Sequence, residues 1–285
     1  MAVSTQGWLG LATAALVSLA TFGRSGGAAT PPPVAAREAV TGQWIWTARD
    51  RQLFERARVD HPALSAALLI GSFDCDGSKL RMRRGLSPLS VGKNPRALLI
   101  RVEDSVNRCL NEDADRAAQN LDDALAKLLR EVKDTGASFS ELQLDYDSPV
   151  SKLPRYAALL ARLKRGSLRD VELWITSIPV HVEQPRYGEL MRGLVAGHIL
   201  QLFDTGLRCE PRRAETLRAA LAAQALPYRL GYGAFERLGA PEERSHVCWQ
   251  ELTAAWRRDA GASGFWIFPA GLAYEQSLTR LEGAR

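Results

Sequence analysis

The spacing of apolar residues changes along the chain, and each spacing is typical of one kind of element. Apolar and polar residues alternate in 142–147 (LQLDYD), as in a β-strand, whose side chains point to opposite faces in turn. In 114–134 apolar residues recur every three or four positions, as in an amphipathic helix, and Gly136 follows as a stop signal. A strand between helices is typical of a parallel sheet with both faces covered.

The same two patterns alternate along the rest of the chain. The first third is less regular, with main strands predicted at 43–47, 66–73 and 96–103, a weak helical pattern at 50–62 and an extra strand at 79–84. Later strands are predicted at 140–147, 171–177, 198–203, 228–233 and 264–268, and helices at 114–134, 154–166, 186–196, 214–225 and 247–259. The later strands begin roughly 27 to 36 residues apart, which suits βα units.

Eight main strands therefore predict an α/β fold, a (β/α)₈ TIM-type barrel that is irregular in its first third. The alternative is a doubly wound open sheet. Such a sheet usually has a glycine-rich phosphate loop after its first strand, and the chain has neither a GxGxxG nor a Walker pattern.

The N-terminus differs from the rest of the chain. Residues 8–22 form an apolar run of signal-peptide length, too short for a comfortable membrane span, although no Lys or Arg precedes it. We predict that residues 1–29 are a signal peptide or an uncleaved anchor and that 30–40 are a Pro/Ala linker. Residues 41–285 then form a single barrel domain, which we expect to be periplasmic or secreted.

Cysteine usage agrees with export. The four cysteines form no CxxC pair, so a zinc site is not expected, and they allow three disulfide pairings. Cys75 and Cys109 follow neighbouring predicted strands, and so do Cys209 and Cys248. We predict these two disulfides. The alternative is four buried thiols in a reducing compartment.

The charge pattern argues against one class of partner. The net charge is +5, but arginines are scattered and cluster only briefly, as at 81–84. Nucleic-acid binding would require a basic stripe with aromatic residues. We expect a monomer that binds no nucleic acid and contacts a membrane only through an uncleaved N-terminal segment.

The ends of the predicted strands carry the candidate chemistry, since active sites of TIM barrels lie there. Carboxylates and aromatic rings suit a carbohydrate, because acids transfer protons and rings stack on sugar faces. The catalytic candidates are Asp145, Asp147 and Glu103. The candidates for substrate binding are Gln143, Thr176, Gln201, Asp204, Tyr232 and Trp266. No cofactor or metal is predicted.

The three catalytic candidates are expected to be close together. Asp145 and Asp147 share one strand face at a spacing of ~6.6 Å, and Glu103 lies about one strand spacing away, ~4.8 Å. These distances cover both retaining and inverting glycosidases. Crowded carboxylates raise one another's proton affinity, so we hypothesise that one of the three titrates well above a free carboxyl.

Structural roles for the same residues remain open. Arg101, Glu103 and Asp145 would form a network that only neutralises charge inside the barrel, and 147–149 would be a turn with an Asx-type hydrogen bond. Asp74 and Asp76 with Glu103 would suit calcium, but no loop has EF-hand spacing.

Three further alternatives concern other residue types. His181 is interpreted as a loop residue rather than a catalytic base. Trp174 and Trp266 fill the barrel as readily as they form a sugar platform. A serine nucleophile has little support, because no GxSxG motif occurs.

With these motifs, the chain resembles an uncharacterised family of exported bacterial proteins and lipoproteins, the domain of unknown function numbered 3142. The resemblance implies a barrel similar to those of glycoside hydrolases and no established activity. It covers roughly residues 40–270 and rests on five segments, 44–46 (WIW), 142–147 (LQLDYD), 174–179 (WITSIP), 199–204 (ILQLFD) and 264–268 (GFWIF).

Two departures from related patterns limit what the resemblance implies. After residues 178–179 the family pattern has a small residue and then Trp, where this chain has Val180 and His181. Asp145-x-Asp147 also resembles the start of the DxDxE motif of chitinase-type family 18 hydrolases. Pro149 occupies the position of the proton-donating Glu, so that mechanism is not expected here.

The sequence therefore predicts an exported, glycoside-hydrolase-like barrel that acts on or binds a carbohydrate through carboxylates at strand ends. The alternative is a non-catalytic barrel that binds envelope glycan or a protein. A third hypothesis is a metal-dependent hydrolase, which chelation would silence.

Overall fold

Eight parallel strands close into a barrel in the computed structural model, which describes residues 39–234, 246–269 and 274–283. The last strand of the ring pairs with the first, which closes the barrel, and β3 (Lys79–Arg84) lies outside the ring, antiparallel to β2. The predicted TIM-type barrel is confirmed. Around the ring the strands are β1 (Val40–Ile45), β2 (Ser65–Asp76), β4 (Ala97–Val102), β5 (Glu141–Asp145), β6 (Glu172–Ser177), β7 (Gly197–Gln201), β8 (Tyr228–Gly233) and β9 (Ala262–Phe268).

Helices flank the barrel and bury their apolar stripes against its outer face. In α3 (Ala114–Asp134) the buried stripe includes Leu121 and Leu125, and Asp113 caps the helix by accepting a hydrogen bond from the Arg116 N–H. The other described helices are α1 (Ala48–Asp60), α2 (Val106–Glu112), α4 (Leu153–Arg165), α5 (Pro179–Val182), α6 (Tyr187–Met191), α7 (Pro211–Gln224), α8 (His246–Leu252) and α9 (Tyr274–Gly283), with short 3₁₀ helices at Val150–Lys152 and Ala254–Arg258.

The predicted irregularity of the first third is found between β2 and β4. The chain there forms the β2–β3 hairpin and a loop instead of a covering helix. The weak helical pattern before β2 is nevertheless the regular helix α1. It begins with a capping box in which the Thr47 hydroxyl accepts from the Asp50 N–H and the Asp50 carboxylate accepts from the Thr47 N–H.

Large aromatic rings fill the inside of the barrel. Trp44, Trp174 and Trp266 are almost fully buried there. Glycine makes room for each of these rings. A Cβ at Gly42, for example, would lie 2.3 Å from the Trp266 ring, and one at Gly231 would lie 2.8 Å from Trp44. The barrel is therefore a packed core whose upper layer forms the floor of any site at the mouth.

Both predicted disulfides are confirmed. Cys75–Cys109 joins the end of β2 to α2, and Cys209–Cys248 joins the segment after β7 to α8. Two disulfides fit a protein of an oxidising compartment. None of the helices in the described ranges is both long and apolar enough to cross a bilayer. The predicted signal segment, 1–29, lies outside the described residues, as does the linker up to residue 38.

Removing the Cys209–Cys248 bond is expected to destabilise the protein by about 2–4 kcal/mol, because the bond restricts the unfolded chain. The measurement is urea unfolding of the variant in which both cysteines are serine. The same change at Cys75 and Cys109 is the matched control. The sequence separations are 39 and 34 residues, so similar losses are expected from loop closure. Losses near zero in both variants would contradict this account.

Candidate functional site

A cavity of about 310 Å³ opens at the carboxyl ends of the barrel strands. Four of its five charged residues lie on or just after β4 and β5, and the fifth, Asp204, follows β7. Its aromatic rings lie on or just after β1, β7 and β9, and β9 lies opposite β5 in the ring. The cavity thus has a charged wall and an aromatic wall. The lining residues are Trp44, Trp46, Leu99, Arg101, Glu103, Asp145, Asp147, Thr176, Gln201, Phe203, Asp204 and Phe268.

The alternation of β5 explains why carboxylates reach this cavity. Leu142 and Leu144 point outward into the core between sheet and helices. The intervening polar residues point into the barrel, and Asp145 and Asp147 are those nearest its mouth. Tyr146 also points outward, and its backbone N–H donates to the Thr176 hydroxyl.

Asp145 is buried and fully hydrogen-bonded. One carboxylate oxygen, Oδ2, accepts from Arg101 Nη1 at 2.7 Å. The other, Oδ1, accepts from the Thr176 hydroxyl at 2.8 Å and from Gln201 Nε2 at 3.1 Å. With three donors from three strands and 2% of its side chain exposed, this carboxylate is fixed in position.

Asp147 lies in a less satisfied environment. Its Oδ2 accepts from Arg101 Nη1 at 3.3 Å, while its Oδ1 has no hydrogen-bond partner among the described residues. Partial burial raises the pKa of the Asp147 carboxyl, the Asp145 carboxylate raises it further, and the Arg101 guanidinium opposes both. Asp147 is therefore the carboxyl of this pair that is suited to hold a proton.

Arg101 connects the acidic residues. Its Nε lies 3.8 Å from Glu103 Oε2, and its guanidinium carbon lies 5.9 Å from the Trp46 ring centroid. Burial alone would lower the pKa of Arg101, but the carboxylates of Asp145, Asp147 and Glu103 raise it above its ordinary value. The neutralising network considered from sequence is thus present. It lines an open cavity and is not sealed inside the barrel.

His181 supports the segment that follows Asp147. The ring is buried, its Nε2 lies 2.6 Å from the Ser148 carbonyl oxygen, and its Nδ1 accepts from the Ile178 N–H. Burial lowers the pKa of His181 despite this contact with Ser148. A neutral ring that donates from Nε2 is consistent with both bonds. His181 does not line the cavity.

The structure brings six of the nine predicted catalytic and binding residues to the cavity and leaves three elsewhere. Gln143 is one layer deeper in the barrel, where it accepts from the Trp44 indole N–H and donates to Glu141. Trp266 is barrel filling, stacked on Trp44 at 6.3 Å. Tyr232 points outward, and its hydroxyl is bonded to Thr253. We therefore assign no substrate contact to these three.

The aromatic residues that line the cavity are not the ones predicted from sequence. Phe268 packs edge-on against Trp46 at 5.5 Å and stacks with Phe203 at 6.0 Å, and Phe203 lies 6.0 Å from Trp44. The sequence spacing could have indicated two of them. Trp46 lies two residues after the inward-pointing Trp44, and Phe268 lies two residues after the inward-pointing Trp266. A step of two along a strand keeps the same face and moves toward the mouth.

No group of three or more His, Cys, Asp or Glu side chains in the part of the chain that the structure describes is arranged to hold a metal ion. The predicted calcium alternative also lacks the geometry for shared coordination. Asp74 and Asp76 pair instead with Arg83 and Arg81 of the neighbouring strand β3.

Comparison with known families agrees with three of the five segments on which the resemblance rests, those at 142–147, 174–179 and 199–204. Residues 94–215 match the sequence model of the family described as Domain of unknown function (DUF3142). The resemblance to that family is thereby confirmed. No curated protein matches the chain.

Three solved structures illustrate the likeness in fold. The spore cortex-lytic enzyme SleL of Bacillus megaterium has a TM-score of 0.60 at 11% identity, covering 89% of this chain and 75% of that one. A mutant GH18 chitinase from Cycas revoluta, in complex with (GlcNAc)4, has a TM-score of 0.57 at 12% identity, with 86% and 98% covered. The xylanase and alpha-amylase inhibitor protein XAIP-II from Scadoxus multiflorus has a TM-score of 0.53 at 14% identity, with 86% and 98% covered. At such identities the likeness shows the fold alone, a glycoside-hydrolase-like TIM barrel.

Proposed function

We propose that the cavity at the carboxyl end of the barrel binds a carbohydrate chain and that Asp147 donates a proton to the glycosidic oxygen as the chain is hydrolysed. The observation that carries this proposal is the position of Asp147, a carboxyl of raised proton affinity, in one cavity with an aromatic wall. The structural likeness to a cortex-lytic enzyme and to a chitinase complexed with (GlcNAc)4 supports it.

Asp147 has the properties that a general acid requires. A general acid must hold its proton near the working pH and must reach the leaving oxygen. The raised pKa of Asp147 supports the first requirement. Its side chain is 32% exposed in the cavity, which supports the second.

Asp145 has a different role in this proposal. It stays in place as a carboxylate and stabilises the positive charge that develops on the sugar ring. The Oδ2 atoms of Asp145 and Asp147 lie 2.7 and 3.3 Å from the same Arg101 nitrogen. They are therefore closer together than the ~6.5 Å minimum of an inverting pair. This spacing supports a mechanism in which water enters only after the protonated leaving group has departed. The water then adds to the anomeric carbon and gives its proton back to the Asp147 carboxylate, which restores the acid.

The aromatic wall supplies the apolar half of the proposed site. Sugar rings present C–H faces that stack on aromatic side chains, and Trp46 and Phe268 line the cavity at the ends of β1 and β9. Gln201 and Glu103 offer polar atoms toward the same space. A cavity of about 310 Å³ is at the small end of ligand sites (about 300–1,000 Å³), so it suits a short stretch of the chain.

A second candidate is a barrel that binds glycan without cleaving it. It is favoured by the Arg101 guanidinium, which is bonded to both carboxylates. Pro149 also occupies the position of the acid in the related DxDxE pattern, and the inhibitor XAIP-II has the same fold.

Replacing Asp147 by asparagine separates these candidates. In the hydrolase, turnover of a polysaccharide found by hydrolysis screening should fall by about 10²–10⁴-fold, because the proton donor is lost. Binding of that polysaccharide should change little. Wild-type turnover should also decline as pH rises through the raised pKa of Asp147, since the acid form is then depleted.

The matched control is Asp76→Asn, which removes an exposed carboxylate at the end of β2. It should leave turnover unchanged. Full turnover by Asp147→Asn would exclude the proton-transfer role. Saturable glycan binding without any turnover in the wild type would support the second candidate.

We also propose that the chain is exported to the periplasm or beyond. The two disulfides support an oxidising compartment. The apolar run at 8–22 would direct the export.

A further inference from the structure

A second cavity lies at the opposite end of the barrel, where strands begin. It has a volume of about 530 Å³ and is bordered by α1 and by the starts of β2, β4 and β5. The described residues that line it include two arginines and several small polar residues, but no carboxylate. The polar lining consists of Arg58, Ser65, Asn94, Arg96, Ser138 and Ser140.

The charge of Arg96 is incompletely balanced. Its nearest carboxylate in the described part of the chain is Glu141, with Arg96 Nε 3.8 Å from Glu141 Oε2. Glu141 already accepts two hydrogen bonds from Arg229, at 2.6 and 3.0 Å. The Glu141 carboxylate therefore faces two guanidinium groups, and the charge of Glu172 also acts on Arg229. Arg96 has the longer of the two ion pairs to Glu141. Arg96 makes no side-chain hydrogen bond to any described residue, and 31% of its side chain is exposed.

Arg58 adds a second positive charge at the same cavity. It is exposed on the last turn of α1 and lies against the Phe54 ring, 5.6 Å from its centroid. It forms no ion pair with any described residue. Of the two helix acids closest to Arg58 in sequence, Glu55 pairs with Arg51 at 3.6 Å. The other, Asp60, is two positions away, a spacing at which helix side chains do not face each other.

We infer that this cavity is a second binding site, which takes a small ligand bearing an oxyanion, either a carboxylate or a phosphate. The planar guanidinium presents paired N–H donors that match both groups. The serine hydroxyls and the Asn94 amide add neutral hydrogen-bonding groups. A volume of about 530 Å³ accommodates a charged monosaccharide, and a lining without carboxylates does not repel it.

Isothermal titration calorimetry of the full chain at low ionic strength tests this inference. The probes are sodium glucuronate and inorganic phosphate, with glucose as the uncharged comparison. We expect saturable binding of at least one anion and none of glucose, and the tighter anion identifies the ligand's charged group. The double variant Arg58→Gln/Arg96→Gln should bind about tenfold or more weakly.

Two further variants keep the test decisive. Arg58→Gln alone changes an exposed side chain, so it should fold and still weaken binding. Arg56→Gln alters an exposed arginine of the same helix that does not line the cavity, and it should bind as the wild type does. Equal weakening by both variants, or no saturable binding of either anion, would overturn the inference. Asp147→Asn should bind the anion normally, so the result is independent of the carbohydrate proposal.

Discussion

Replacing Arg229 by methionine is expected to lower the free energy of unfolding by about 3–5 kcal/mol. Arg229 and Glu141 are 2% and 1% exposed, and the guanidinium donates twice to the carboxylate, at 2.6 and 3.0 Å. Methionine keeps much of the apolar stem but leaves the buried Glu141 carboxylate with the Gln143 amide and, among the described cations, only the more distant Arg96, at 3.8 Å. An uncompensated buried charge is among the most destabilising changes in a protein.

Urea unfolding at neutral pH measures this loss, and a double variant identifies its cause. In Arg229→Met/Glu141→Gln the remaining amide is neutral, so much of the lost stability should return. Arg229 also stacks on Trp174, with its guanidinium carbon 3.6 Å from the ring centroid. If the double variant is as unstable as the single one, lost packing on Trp174 is the cause instead of charge.

The barrel could be predicted because its signals are local. The helix predicted at 114–134 has the same bounds in the structure, since its apolar period and its stop signal at Gly136 agree. The β5 pattern was equally clear, because outward leucines alternate with inward polar residues. Neighbouring strands end at the same rim, so the carboxylates of β4 and β5 could be placed together before the structure was known.

Short helices could not be predicted, because contacts distant in sequence stabilise them. The helix predicted at 186–196 ends at Met191, and the chain turns through Gly193, whose φ is +77°. The described helices α2, α5 and α9 were not predicted at all. α2 has only seven residues and is tied to β2 by the Cys75–Cys109 bond. A segment this short has little helical preference of its own.

The sequence also could not show how deep inside the barrel each inward-pointing side chain lies. Alternation shows which face a residue takes, but strand tilt and stagger decide which layer reaches the mouth. Trp266 therefore lies one layer of side chains deeper in the barrel than predicted, and Phe268 is the residue of β9 that lines the cavity. In β8 the inward positions hold Arg229 and glycines, so Tyr232 faces outward. An arginine inside a barrel contradicts the usual expectation that charges face solvent.

The inner face of β5 links the fold to the proposed function. Glu141, Gln143, Asp145 and Asp147 follow one another up the barrel. Arg229 donates to Glu141, and Gln143 bonds to Trp44 and to Glu141. Asp145 accepts from Arg101, Thr176 and Gln201. Only Asp147 keeps a carboxylate oxygen without a described partner. That oxygen is itself buried, but 32% of the Asp147 side chain as a whole is exposed, so the polar column ends in its most accessible side chain.

Replacing Arg101 by methionine is expected to cost about 3 kcal/mol of stability at neutral pH, because it leaves two neighbouring carboxylates without their shared cation. The loss should depend on pH with a definite sign. Without Arg101, burial and the Asp145 charge raise the pKa of Asp147 unopposed, so the folded state holds a proton on Asp147 more tightly than the unfolded chain does. Aspartates of the unfolded chain titrate near ~3.9. The stability of the variant then falls as pH rises from the pKa of the unfolded chain to the higher pKa of the folded state. Its loss of stability relative to the wild type is therefore smaller at low pH.

Urea unfolding of the wild type and of Arg101→Met at about pH 7 and about pH 3.5 provides the comparison. Arg81→Met is the matched control, because Arg81 and Asp76 form an exposed pair, 60% and 61% exposed, that should contribute about 0–1 kcal/mol. The destabilisation by Arg101→Met should be large at the higher pH and small at the lower one. An equal loss at both pH values would mean that Arg101 stabilises the barrel mouth through its packing near Trp46, and that the charge of the two carboxylates is balanced without it.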